Sequence, residues 1–166
     1  MAKSKTYKHT EEQPSTVNEP AIAMIKSSRN SIFIGTMNKP AYQMTSLEKL
    51  DKLRHGLDKH DLEKLKSRAE LDYDKLSKAL LVTRATLINK KGSEKFSPSL
   101  TERILSLADI YSYGYDVFDD ESHFNQWMFK PNRALGGKAP YDIIDNQFGR
   151  EEVKNIIGRI DYGVYS

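Results

Sequence analysis

The sequence predicts an all-α protein: a helix-turn-helix module followed by a small helical module, behind a disordered N-terminal tail. Three observations predict it. Apolar residues recur at helical spacing from Thr45 almost to the C-terminus, helix-start signals stand ahead of most of these runs, and no segment sustains period-two alternation. The boundaries read as a flexible or partly ordered segment over 1–44, a first module over 45–118 and a second over 119–166.

Residues 1–30 are polar, lack periodicity and are rich in Lys, Ser, Thr, Glu and Pro, a composition that cannot bury enough surface to fold. Ser31–Ile34 has the composition of a short strand, and Lys39-Pro40 breaks whatever precedes the first helix. Thr45-Ser-Leu-Glu48 is a capping box, with Leu47, Leu50 and Leu53 as an apolar stripe behind it and Gly56 as the stop. Asp58 caps a second helix, on which Leu62, Leu65 and Ala69 share a face. Asp72 opens a short helix through Leu81, and Thr83 opens another to about Lys91, closed by Gly92. Ser97-Pro98 starts the central helix, where Leu100, Ile104, Leu107, Ala108, Tyr111, Tyr115 and Phe118 keep helical spacing. Glu121–Phe129 follows and stops at Pro131. A short helix from Pro140 is broken by Gly149, and the last helix carries the stripe Val153, Ile156, Ile157, Ile160.

Composition excludes several classes of function. With no cysteine there is no disulfide scaffold, thiolate zinc site or cysteine nucleophile. Apolar runs are too short to span a membrane, and Met1–Ser15 lacks the apolar core of a secretory signal, so a cytoplasmic protein is expected. The net charge of +3 is modest but uneven: residues 1–56 hold 9 basic and 5 acidic side chains, residues 119–166 hold 6 and 8. The two ends are suited to different partners.

Asp72–Lys91 reads as a helix-turn-helix. Leu76, Leu80, Val82 and Leu87 supply the apolar positions that hold two short helices at a steep angle. Candidate DNA contacts are Thr83, Arg84, Thr86, Asn89, Lys90 and Lys91 on the second helix, with Lys78 on the first. Hydroxyl and guanidinium groups near a recognition helix's N-terminus meet base edges and phosphates. The same pattern also fits an ordinary helical hairpin with a solvated basic face, and Leu81 stands where such a turn often prefers glycine.

No catalytic constellation or cofactor site emerges. His55, Asp58, His60 and Asp61 read as solvated cap residues rather than metal ligands. Gly136-Gly137-Lys138 lacks the spacing and the preceding strand of a phosphate loop and reads as a structural turn, on which Trp127 and Leu135 pack. The apolar ending Tyr162-Gly-Val164-Tyr165-Ser166 is unusual for a free tail and points either back onto the core or into a partner. Arg159 pairs with Asp161 or faces an acidic pocket.

The C-terminal block resembles the toxin-binding region of the Xre/MbcA/ParS-like antitoxins that accompany RES-domain toxins. The resemblance rests on Trp127, on Pro131-Asn132-x-Ala134-Leu135-Gly136-Gly137-x-x-Pro140, on Gly149-x-x-x-Val153 and on Gly158-Arg159-Ile160-x-Tyr162-Gly163-Val164-Tyr165-Ser166. Upstream, Gly56-Leu57, Leu80-x-Val82-Thr83-x-x-Thr86-Leu87 and Ser99-x-x-x-Arg103 fit the same family's Xre-like helix-turn-helix. Asp119 stands where the family often carries glycine, and Asn89 and Lys90 replace a more arginine-rich run. The resemblance implies a non-enzymatic homodimer that neutralises a RES toxin, an NAD-consuming or ADP-ribosylating enzyme, by occluding its active site. It further implies autoregulation through operator DNA, without cofactor or metal. The implied toxin contacts are Trp127, Asn132, Leu135, Arg159, Tyr162, Val164, Tyr165 and Ser166. The alternative is a stand-alone dimeric helix-turn-helix regulator.

Overall fold

The computed structural model describes residues 39–163. The expected strand at Ser31–Ile34, most of the expected tail, and Val164, Tyr165 and Ser166 lie outside the described residues. Seven α-helices, with no strand among the described residues, confirm the all-α reading: α1 (Ser46–His55), α2 (Lys59–Arg68), α3 (Tyr73–Leu80), α4 (Arg84–Ile88), α5 (Pro98–Phe118), α6 (Glu121–Trp127) and α7 (Gln147–Asp161). Short 3₁₀ turns stand at Ala41–Gln43, Arg133–Leu135 and Pro140–Ile143.

The start signals act as expected. Thr45 and Asp58 form capping boxes with Glu48 and Asp61, and Asp72, Thr83 and Ser97 each accept a backbone N–H of the first turn they cap. Asn146, expected to end the short helix from Pro140, instead caps α7 in the same way. Asp58 also holds Lys95 at 3.0 Å, so the acids near His55 and His60 close a helix end.

The 21-residue α5 is the wall on which the other elements pack, and a single core cluster runs from Ala41 to Ile157. The turn at Ala41–Gln43 docks on it: Ala41 and Met44 are buried, the Tyr42 amide donates to Ser112 Oγ at 3.0 Å, and the Tyr42 ring stacks on Tyr113. On another side of α5, Tyr111, Tyr115 and Phe118 make edge-on contacts with Phe124 of α6. A Cβ at Gly114 would lie 2.1 Å from the Phe124 ring, so only glycine admits that ring against the helix. Near the middle of α5 the buried carboxylate of Asp109 accepts from Lys49 of α1 at 2.8 Å and from Lys154 of α7.

Three expectations need correction. The Leu47–Leu50–Leu53 stripe does not enter the core: α1 buries no residue fully, Leu47 is 74% exposed and of the three only Leu53 is half-buried, while Lys49 pairs with Asp109 of α5. Helix α4 stops at Ile88, with Asn89 as its C-cap, so Lys90 and Lys91 lie beyond it and Gly92 (φ +50°) serves a separate turn. Gly149 is not a breaker. It sits in the first turn of α7 because a Cβ there would meet the Ile143 carbonyl oxygen at 1.6 Å.

Gly114→Ala tests the notch in α5. Helix propensity alone favours alanine by about 1 kcal/mol, whereas overpacking against Phe124 costs about 1–3 kcal/mol. Chemical denaturation is expected to show net destabilisation, and a stability gain would contradict the close approach.

Candidate functional site

Two surfaces carry the candidate residues. The first is the α3–α4 pair. Leu76, Ala79 and Leu80 of α3 and Leu87 of α4 are buried together, and the turn between the helices is a left-handed cap. Val82 N–H donates to the Ser77 carbonyl at 3.1 Å and Leu81 N–H to that of Lys78 at 3.2 Å, with Leu81 at φ 51°. The position that favours glycine is thus occupied by leucine in a glycine conformation. Sequence reasoning quoted Arg103 only as part of a motif, and the structure gives it a role. From α5 its Nη1 donates to the carbonyls of Leu80 at 2.9 Å and Leu81 at 3.4 Å. A cation on the orphan carbonyls at the C-terminus of α3 fixes the turn that aims α4.

Of the candidate DNA contacts, Thr83 is the N-cap of α4, and its hydroxyl lies 2.8 Å from that of Thr86. Arg84 projects from the exposed first turn and pairs with Asp74 at 3.3 Å, a solvated ion pair of about 0–1 kcal/mol that a phosphate readily displaces. Asn89 and Lys91 are exposed just past the helix and Lys78 is exposed on α3. Lys90 is more engaged, 3.8 Å from Glu94 and above the Phe96 ring.

The second surface is built by α6, the turns after it and α7. Trp127 is half-buried, stacked on Phe124 and tilted on Phe118. Arg68 of α2 pairs with Glu121, while the Arg68 carbonyl accepts from Tyr115 Oη at 2.7 Å and Asn125 Nδ2 at 3.1 Å. Asn132 organises the following turn: its side chain accepts from Ala134 N–H at 2.9 Å, and its carbonyl accepts from Gly137 N–H at 2.9 Å. The N–H groups of Gly136, Gly137 and Lys138 all point at backbone carbonyls within this turn, which leaves no phosphate cradle. Half-buried Leu135 ends the 3₁₀ turn.

Helix α7 then lies along α5 with Val153, Ile156 and Ile157 inward, and buried Arg150 donates to the Ile144 carbonyl at 3.1 Å. Its end is pinned by Tyr113, whose hydroxyl donates to Asp161 at 3.1 Å. Burial, then that carboxylate, push the phenol up to about 12, so it remains a donor at neutral pH. Arg159 pairs with Glu152 at 3.5 Å rather than with Asp161, because Asp161 is taken by Tyr113 and residues 152 and 159 are two turns apart on one face. Tyr162 stands exposed just after. The candidate toxin contacts therefore fall in two places: Trp127, Asn132 and Leu135 by α6, and Arg159 and Tyr162 at the end of α7.

Residues 114–163 match the antitoxin Xre/MbcA/ParS C-terminal toxin-binding domain. Antitoxin Xre of Photorhabdus laumondii is 34% identical over 76 residues, 45% of this chain and 51% of that protein, so the alignment spans about half of that relative. The Prs ADP-ribosylating antitoxin of Sphingobium is 25% identical over 139 residues, 77% of this chain and 87% of that protein. Antitoxin Xre of Yersinia enterocolitica is 25% identical over 129 residues, 76% and 86% of the two chains. These likenesses support an Xre/MbcA/ParS-like antitoxin, whose toxin-binding domain is matched over residues 114–163.

A toxin-binding domain recognises its partner through surfaces, so the geometry that matters over residues 114–163 is that of surfaces. The family domain begins at Gly114, the notch that receives Phe124, and takes in α6, the Asn132 turn and α7. Asp119, at the position where the family often has glycine, adopts φ 55°, which explains the preference in conformational terms. Among the described residues no helix is long and apolar enough to cross a membrane.

The Arg103 clamp generates a test. Arg103→Met keeps the aliphatic stem and removes the donors, which is expected to cost about 1.5–3 kcal/mol. Hydrogen exchange at the α4 amides should accelerate in parallel. Unchanged α4 protection would mean that the turn holds itself.

Proposed function

We propose that this antitoxin neutralises a RES-domain toxin by placing its C-terminal segment, Tyr162 to Ser166, in the toxin's active site, and that it represses its own operon as a homodimer binding DNA through α3–α4. The observation that carries the first part is that α7 runs to the end of the toxin-binding domain and leads to an exposed Tyr162, after which the sequence continues with the apolar Val164 and Tyr165. The printed name of the Sphingobium relative, which speaks of ADP-ribosylation, supports a toxin of NAD or ADP-ribose chemistry. For DNA, support comes from the left-handed turn between two short helices and from the individually exposed Lys78, Arg84 and Lys91 on and just after them. The exposed Leu47 and Leu50 of α1 supply an apolar face suited to a second copy. A cytoplasmic location follows from both roles.

Deleting Tyr162–Ser166 leaves α7 and its Asp161–Tyr113 bond in place. This truncation is expected to lose protection of cells against a RES-domain toxin, while retaining operator affinity within about twofold. Protection retained by the truncated chain would overturn active-site occlusion.

Arg84→Ala and Lys91→Ala are expected to weaken operator binding and leave toxin binding unchanged. Each lost phosphate contact should flatten the dependence of log K on log salt by about 0.9. An unchanged slope and affinity would move the DNA surface elsewhere. A chain that binds its operator but no RES-domain protein is the stand-alone regulator.

A further inference from the structure

The outward side of α7 carries more than the approach to the C-terminal segment. At 3.6 residues per turn, Phe148, Glu152, Asn155, Arg159 and Tyr162 project within about 40° of one direction, opposite the buried Val153 and Ile157. The two ends of this stripe are aromatic and bare, Phe148 at 82% exposure and Tyr162 at 83%. They lie about 20 Å apart at 1.5 Å per residue. The remaining exposed aromatic of the same domain differs: Phe129 is covered by the Tyr141 ring and by the Lys75 ammonium. No ring or cation among the described residues covers Phe148 in that way, and it stands two residues after the Asn146 cap.

We propose that this face is a recognition surface anchored at both ends, in which Phe148 makes its own contact with the toxin, remote from the segment that enters the active site. The inference rests on the toxin-binding reading above and adds a second anchor to it. Continuity favours the toxin as occupant: the whole stripe lies within residues 114–163, and Tyr162 leads straight into the segment beyond. Charge disfavours a phosphate-rich partner, because Glu152 and Arg159 pair across the middle of the stripe and cancel. The matching toxin surface has an apolar pocket for Phe148 and hydrogen-bonding groups opposite Asn155 and the Glu152–Arg159 pair. A rigid aromatic entering a desolvated pocket is the commonest form of interface hot spot.

The test uses the full-length chain and a RES-domain toxin that it neutralises, with affinity measured by titration and inhibition read as NAD consumption. Phe148→Ala is expected to weaken binding at least tenfold, mainly through faster dissociation, and Phe148→Leu to recover part of the loss. Glu151→Ala, on a neighbouring exposed position, should change little. Thermal midpoint and helical content of all three variants should match the parent, since neither side chain is part of the core. At saturating concentration Phe148→Ala should still inhibit, whereas the chain lacking Tyr162–Ser166 should bind without inhibiting. Affinity of Phe148→Ala within twofold of the parent would overturn the second anchor while leaving the occlusion reading standing. A change in the chain's own oligomeric state in place of toxin affinity would reassign the face to self-association and overturn it as well. Failure of the unmutated chain to bind the RES-domain protein would overturn both readings at once.

Discussion

The Phe124 ring seated where α5 lacks a Cβ at Gly114 is the constraint from which the second half of the protein follows. With the ring in that notch, α6 lies close enough for Asn125 to bond both Tyr115 Oη, at 2.8 Å, and the Arg68 carbonyl. Trp127 then stacks on the outer side of Phe124. Met128, buried one turn on, offers its carbonyl to Tyr141 N–H at 2.8 Å, which places the turn at Pro140–Ile143. That turn presents the Ile143 carbonyl to a second missing Cβ, at Gly149, and so sets where α7 begins. Two close approaches, each open only to glycine, position the helix that carries the recognition face. Interiors packed at crystal-like density transmit such constraints with little slack.

The same wall helix serves the other surface. Arg103 of α5 reaches the turn before α4, and Tyr141 Oη donates to the Lys75 carbonyl of α3 at 2.6 Å. The turn at Pro140–Ile143 and the α3–α4 pair are therefore hydrogen-bonded to one another as well as sharing α5. Asp109 adds a second tie. A carboxylate so buried is costly unless paired, and its partners come from two elements, Lys49 of α1 and Lys154 of α7. Loss of either lysine leaves the other holding the charge, so the tie acts chiefly to locate both helices at one point of α5.

Much of this was legible in the sequence because helix starts are local chemistry. Thr45, Asp58, Asp72, Thr83 and Ser97 announce themselves by side chains that bond N–H groups two or three residues away. Features decided by distant neighbours were not legible. Gly149 reads as a breaker until the Ile143 carbonyl is seen against it. The α1 leucines read as a core stripe because periodicity shows that a face exists, not whether anything covers it. Helix α4 reads as longer than it is because Lys90 and Lys91 are good helix formers, although the chain leaves the helix at Asn89. Phe148 had a signal that went unused: extending the wheel of Val153, Ile156 and Ile157 backwards puts it on the polar side.

A recognition helix gains from being held on its far side. Here α7 is fixed at its start by Asn146 and Gly149, along its length by Val153, Ile156, Ile157 and the Lys154–Asp109 pair, and at its end by Tyr113 on Asp161. The outward stripe is therefore displayed on a helix already ordered before any partner arrives. Binding through that stripe immobilises few further side chains, and each immobilised long side chain otherwise costs about 0.5–1.5 kcal/mol. In sequence, Gly163 separates Tyr162 from the apolar Val164 and Tyr165. A rigid face can thus secure the complex while a short segment beyond it adapts to a cavity. In the proposed complex, this division of labour accounts for the exposed aromatics at both ends of one helix.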